Sequence, residues 1–317
     1  MRLLITFLLS ASLINTFAQR QNVYYFKTNG RSVPNRDSAD FTRVVREPDS
    51  GTVLYKVMEY YINGTPKLLG LSSTINPIKF DGINTTFDKN GKRQAVLNYK
   101  SGRLLGDQYY YYSNGLLREV RAYLPADKDF KESYRINTFN DSTGKALVTA
   151  GNGHYASYDR LNKTRAEGDL KGGLKHGEWQ MSVKNDSILL NEVYSTGVLV
   201  KGTAKFANGE VLTYDKPETL PQFPSGINGF STFLGRTLRY PADAQRNNIQ
   251  GRVMVSFVVE KDGSLTDIHP VGKSPSPLLS DEAIRVLNES PKWQPGIQYG
   301  RAVRVKYTVP IVFNLGR

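Results

Sequence analysis

Arg301–Phe313 reads RAVRVKYTVPIVF. Val303, Val305, Tyr307 and Val309 fall on one side of an extended chain; Arg304, Lys306 and Thr308 fall on the other. Successive strand residues face opposite sides, so this is the pattern of a long strand with one apolar face and one cationic face. The elements before it decide what that strand belongs to.

Upstream, LLSDEAIRVLNES reads as a helix. Ser280 is the expected N-cap, Asp281 and Glu282 suit the positive end of the helix dipole, and Pro291 prevents continuation. Leu279, Ala283, Ile284 and Leu287 make its apolar stripe. Before it, Gly251 opens a strand in which Val253, Val255, Phe257 and Val259 share a face. Lys261-Asp262-Gly263-Ser264 is a hairpin turn, and Leu265 to Val271 returns. Earlier still, Phe230, Phe233, Leu234 and Leu238 recur at helical spacing until Tyr240-Pro241 stops them, and Pro241 can begin a second short turn. The order helix, hairpin, helix, strand predicts an α+β domain over 229–317: a three-stranded antiparallel sheet with two helices on one face.

Pro217, Pro221 and Pro224 mark 215–228 as an extended connector, since proline resists helix interiors and central strands. From 19 to 214 the chain is expected to be mainly β. Asn-Gly and related turns recur, with Gly91, Gly102 and Gly115 spaced by 11 and 13 residues and Gly197 and Gly209 by 12. Asn-Gly supplies positive φ cheaply, as tight hairpins require. Short strands rich in Tyr, Val and Leu lie between, so the region reads as a meander of stacked hairpins. The YYYY run, Tyr109–Tyr112, must put alternate residues on opposite faces, which favours core for two of them.

At the N-terminus, Arg2 precedes an apolar run from Leu3 to about Leu13, then Thr16-Phe17-Ala18. This is the pattern of a signal peptide over 1–18, short for a membrane span. The chain is therefore expected to be exported to the periplasm. A net charge of +13 would suggest nucleic acid in a cytosolic protein; in an exported one it points to cell-wall polymer, anionic surfaces or acidic protein faces, and no nucleic acid. Cysteine is absent, which excludes disulfides, thiolate metal sites, a cysteine nucleophile and a lipid-bearing cysteine. His154, His176 and His269 fall in no Ser-His-Asp arrangement, and Asp262, Asp281 and Glu282 match no metal loop. No catalytic residues, no metal and no cofactor are expected, and the chain does not read as an enzyme.

Two resemblances follow from these motifs. Gly172, Gly177 and Trp179 in KGGLKHGEW, followed by YSTG and FANG, resemble MORN repeats of the antitoxin-like kind, clearest over 167–210 and weaker over 87–123. Such repeats imply a β-hairpin array without chemistry. Tyr240-Pro241 with Ala244, Gly251 before VMVSFVVEKDGSL with its Asp262-Gly263 turn, DEAIRVL, Trp293 to Gly296 including Pro295, Gly300, and VRVKYTVPIVF with Pro310 together resemble the TonB C-terminal domain over about 220–315.

That resemblance implies a periplasmic module that binds a short extended segment of an outer-membrane receptor or another envelope protein. The segment would add as a strand along the last long strand. Arg301, Val303, Arg304, Val305, Lys306, Tyr307 and Thr308 would then form the contact, with the cations protecting the edge and attracting an acidic segment. Val305→Pro is the expected disabling change. Two copies pairing through their edges is a further arrangement the family allows. Energy transducers of the family carry a membrane helix, a long Pro-rich arm and a Gln-Pro stretch before the Tyr-Pro; here Thr237, Leu238 and Arg239 occupy those places. The alternative is a transducer held in the inner membrane by an uncleaved N-terminal segment.

Overall fold

The computed structural model describes residues 20–125, 133–159, 163–183 and 187–315. The segment read as a signal peptide, 1–18, lies outside the described residues. Among the described residues no helix is long and apolar enough to cross a membrane.

The chain divides into two compact units: the residues up to Gly153 with Leu170–Leu174, and His154–Asp169 with Lys175–Arg317. In the first, Phe41–Arg46, Tyr55–Tyr61, Pro66–Ser72, Gly82–Phe87, Arg93–Lys100, Gly106–Tyr111, Leu117–Tyr123, Tyr134–Asn140 and Ala146–Thr149 pair antiparallel in succession. Gln21–Phe26 pairs with the first of these. Asn-Gly turns drive the reversals: at Asn90-Gly91 the glycine has φ 77° and donates its N–H to Asp88 O at 3.0 Å. The meander buries Phe41, Val45, Val57, Val120, Ile136 and Val148. It also buries carboxylates: Glu59 is held by Arg43 and Lys67, and Glu119 by Arg121. A charge taken from water needs such partners.

The second unit holds the same kind of meander, with the strand Leu174–Val183 from Lys175 onward, Ile188–Ser195, Val198–Phe206 and Val211–Tyr214 antiparallel in order. Trp179 is 2% exposed and lies on Gly168, where an added Cβ would meet the indole at 2.5 Å. The packing of this tryptophan is thus a matter of close approach to a bare backbone. The second unit continues through three helices, α1 (Gly226–Thr237), α2 (Ala242–Arg246) and α3 (Pro277–Asn288). A three-stranded antiparallel sheet has Gly251–Val259 at its centre, Leu265–Val271 on one side and Val305–Phe313 on the other. Phe230 of α1 and Leu279, Ala283 and Leu287 of α3 pack with Val253, Val255, Phe257, Val259, Val309, Ile311 and Phe313 in one core.

Three sequence readings differ from the structure. The run 301–313 is not one strand: it breaks at Arg304, and Arg301–Val303 pairs with Gly296–Gln298 in a separate small sheet. Alternation survives the break, which is why periodicity does not register it. The cap of α3 is Ser276 rather than Ser280. Ser276 Oγ accepts from Leu278 N at 3.2 Å, and Pro277 supplies a helix-compatible φ at the first position. Asp281 and Glu282 consequently lie beyond the first turn. Finally, the proline-punctuated connector 215–228 is structured: Glu218–Thr219 pairs with Ile297–Gln298, Gln222 bridges Gln294, Phe223 is buried in the core, and α1 starts at Gly226. The division between the two compact units falls before it.

Candidate functional site: the outer side of the closing strand

The closing strand, Val305–Phe313, has one neighbour among the described residues, the central strand. Which backbone groups it leaves free follows from the register. Glu260 N donates to Ser264 O at 2.9 Å, so Glu260 is turned toward the return strand Leu265–Val271 and Val259 away from it. Val259 pairs with Val305, so Val305, Tyr307, Val309, Ile311 and Phe313 present N–H and C=O to the central ladder. The alternate residues Lys306, Thr308, Pro310 and Val312 turn theirs outward. Pro310 agrees, because a residue without N–H is tolerated where none is needed.

Side chains alternate independently of this. Val309, Ile311 and Phe313 are buried, Val305 and Tyr307 are half-buried, and Lys306, Thr308, Pro310 and Val312 are exposed. The Tyr307 ring packs against Trp293 and Phe257, at 6.0 and 6.1 Å between centroids. The opposite margin of the sheet is built differently. The return strand carries a register shift and Asp267 at φ 52°, and Pro270 also lies in it. A bulge and a proline blunt that edge. The closing strand is regular over nine residues.

The cations separate into two kinds. Arg304 donates from Nε and Nη2 to Glu260, both at 2.7 Å, and that hydrogen bonding holds the Glu260 carboxyl below its ordinary pKa. Arg301 pairs with Glu210 and lies over the Phe206 ring, 3.4 Å from its centroid. Lys306 has no ion-pair or hydrogen-bond partner among the described residues. Val303 belongs with Arg301 in the small sheet, so of the residues expected to make the edge only Val305, Lys306, Tyr307 and Thr308 lie on the long strand.

The remaining motif residues are supports. Tyr240 donates its hydroxyl to Ile249 O at 2.6 Å and sets its ring edge-on to Phe313 at 5.9 Å; Pro241 precedes α2. Gly251 passes Pro275 so closely that a Cβ would sit 2.8 Å from the proline ring. Gly263, at φ 83°, leaves room for Trp293 O, 2.0 Å from where its Cβ would be. Asp262 receives Ser264 N and Lys292, interactions that depress its pKa and fix the turn. Pro295 is half-buried, and Gly296 admits Val305, whose Cγ2 would lie 2.5 Å from a Cβ there.

Sequence reasoning placed Glu282 at the helix start and missed its role as a clamp. Its side chain is 10% exposed, accepts from Arg239 N at 2.6 Å, and is clamped by Arg285, which also donates to Thr237 O at 2.8 Å. This ties Thr237–Arg239 to α3. The Arg285 hydrogen bonds lower the Glu282 pKa. A depressed folded-state pKa gives stability that is present above the ordinary glutamate value and lost as pH falls through the folded one. Glu282→Gln is expected to cost about 1–3 kcal/mol at pH 7. In denaturant titrations the gap to wild type should close as pH falls below the ordinary glutamate range; a gap independent of pH would contradict the ionic role.

Each histidine has a local partner, His269 Nδ1 lying 2.8 Å from Asp267 O. His154 lies in the strand Asn152–Asp159, with Nδ1 2.9 Å from Asp169 and Nε2 3.0 Å from Glu167, so both nitrogens face carboxylates and its pKa is raised. His176 accepts from Thr196 N at 3.4 Å. Among the described residues no group of three or more His, Asp or Glu is arranged to hold a metal ion.

Residues 236–315 match the family model of the Gram-negative bacterial TonB protein C-terminal. Protein TonB from two strains of Helicobacter pylori is 34% identical over 113 residues, which is 36% of this chain and 38% and 37% of those proteins. The chain thus spans well under half the length of these curated relatives. Two NMR solution structures of the Helicobacter pylori TonB C-terminal domain are 30% and 28% identical, each with TM-score 0.23. They cover 27% and 28% of this chain and 78% and 91% of their own. The C-terminal region is therefore TonB-like in sequence, whereas the hairpin meander lies outside the stretch that the family model matches.

Proposed function

We propose that the TonB-like region is an envelope-protein binding module. It captures an extended segment of an outer-membrane receptor or other envelope protein by adding it as a strand to Val305–Phe313, in the service of transport at the outer membrane. The carrying observation is the outward row of backbone groups at Lys306, Thr308, Pro310 and Val312, with no strand against it among the described residues. Such a row is a template for an added strand, whose affinity comes from main-chain hydrogen bonds. The chain acts in the periplasm after removal of 1–18. A recovered chain beginning near Gln19 would support that placement, and one retaining Met1 in the inner membrane would favour an anchored transducer.

The register chooses the test. Val305 N–H belongs to the internal ladder, so Val305→Pro damages the fold as well as the site. Thr308→Pro removes an outward donor at a position equivalent to Pro310, which the fold already accommodates. Binding of the full chain to tiled decapeptides from periplasm-facing segments of outer-membrane proteins should weaken about tenfold or more in Thr308→Pro, from lost hydrogen bonding and a blocked approach. Thr308→Val should bind as wild type. Equal binding by a folded Thr308→Pro chain would overturn the proposal.

A further inference from the structure

We infer that the last hairpin of the meander, Val198–Phe206 with Val211–Tyr214, is a clasp on this chain's own TonB-like region, and that it decides where the closing strand begins. By holding the turn Tyr299–Arg301 folded back, it keeps Arg301–Val303 out of that strand; once released, the strand starts at Arg301. This start point is a property of the chain alone and does not depend on strand capture.

Nothing in the local sequence ends the strand at Arg304. The alternation runs through it, and neither glycine nor proline stands between Arg301 and Val309. The turn that folds Arg301–Val303 onto Gly296–Gln298 is itself weakly encoded. Tyr299 and Gly300 both have positive φ, 52° and 81°, the arrangement of a two-residue type I′ hairpin turn. Glycine suits it, whereas the Cβ of a tyrosine crowds the neighbouring carbonyl, and asparagine is the favoured residue at that position. A hairpin whose two strands have three residues each is marginal by itself.

Each residue of the turn is instead held from the meander, within one compact unit. The Tyr299 ring stands 5.7 Å from that of Tyr214 and packs on the cluster of Ile188, Leu190, Ala204 and Phe206, while its N–H donates to Pro217 O at 2.7 Å. Gly300 passes so near the last meander strand that a Cβ would lie 2.9 Å from Thr213 O. Arg301 lies over the Phe206 ring, donates to Asn208 Oδ1 at 3.3 Å and pairs with Glu210, all at one hairpin turn. Tyr214 is fixed from behind. Its ring lies on Gly202, where a Cβ would meet it at 2.3 Å, and its hydroxyl donates to the buried Glu192 at 2.7 Å, which also accepts from Tyr194. The meander hairpin is therefore the firm partner, and the half-buried Arg301–Val303 is the part that can change sheets.

Residue-resolved hydrogen exchange on the full chain tests this with Tyr299→Asn. The Arg301 and Val303 amides, which face Gln298 and Gly296 across the hairpin, report its opening. Asn-Gly is a better local turn than Tyr-Gly, so a turn encoded by its own residues should tighten and both amides should exchange more slowly. Under the clasp, losing the ring contact with Tyr214 outweighs the better turn, and both should exchange about threefold or more faster. Glu210→Gln should speed them about two- to fivefold, the range of an exposed ion pair. The Val305 and Tyr307 amides, in the central ladder, should be unchanged in both variants and serve as the internal reference. In the doubly substituted chain the Arg304 Cα and Cβ chemical shifts should move to strand values as the strand extends back to Arg301. Unchanged or slower exchange in Tyr299→Asn would overturn the clasp. Faster exchange with the Arg304 shifts left in place would show a hairpin that merely frays, and would overturn the control of strand length.

Discussion

Trp293→Ala is expected to remove about 3–5 kcal/mol from the stability of the second unit, the range for deleting a buried tryptophan. Trp293 is 5% exposed, and four aromatic rings meet it edge-on: Phe257 at 5.3 Å, Phe230 at 5.4 Å, Phe223 at 5.7 Å and Tyr307 at 6.0 Å. Its N–H bonds Gly263 O and its indole bonds Ser290 Oγ. Those rings come from the proline segment, α1, the central strand and the closing strand, so one side chain holds together four parts of the fold. Truncation opens a cavity that backbone fixed by Gly263 cannot readily close. Trp293→Phe keeps an aromatic filler and should cost clearly less. Denaturant unfolding of the full chain, followed by far-ultraviolet circular dichroism, reads both. A loss below about 1 kcal/mol for the alanine variant would show that this packing does not carry the module. The variant should also weaken peptide capture, because Tyr307 loses the ring that seats it on the closing strand.

What the sequence revealed, and what it hid, divides along local and non-local physics. The alternation Val305, Tyr307, Val309 is local and period 2, and it correctly marks the buried face of the closing strand. The break at Arg304 is invisible to the same pattern, because residues on both sides keep the period while changing sheets. Only the pairing of Arg301–Val303 with Gly296–Gln298 exposes it, and that depends on the Tyr299-Gly300 turn, with φ values of 52° and 81°. The cap of α3 was within reach, since Ser276-Pro277 is a recognisable start; the competing Ser280 before two acids is equally good locally. The proline segment misled for another reason. Prolines do exclude helix and central strand there, yet Phe223 between them is apolar and finds its place in a core assembled from residues up to ninety positions away. The free state of Lys306 is the least legible feature of all: three cations in a row look alike until the fold brings Glu260 and Glu210 to two of them.

In the hairpin meander the largest effect should come from Gly168 and Trp179, and it should be strongly non-additive. Trp179→Ala is expected to cost about 3–5 kcal/mol, through lost burial and loss of the indole bond to Asp169 O at 2.9 Å. Gly168→Ala places a methyl 2.5–2.6 Å from three indole atoms, so ring or strand must shift, at about 1–3 kcal/mol. With the indole removed, that methyl enters open space, and a strand alanine is favoured over glycine by roughly 0.5–1 kcal/mol. Gly168→Ala should therefore be neutral or stabilising in the Trp179→Ala background, which gives a coupling energy of about 1–3 kcal/mol in a double-mutant cycle. Simple addition of the two losses would mean that Gly168 is glycine for a reason unrelated to the tryptophan. A measured coupling would show instead that the glycines and tryptophan of KGGLKHGEW and its preceding strand are selected as a pair. In that arrangement a bare backbone on one strand receives the ring of the next. The meander gains buried contact at that point by this close approach, with the Tyr155 ring 6.1 Å from the indole.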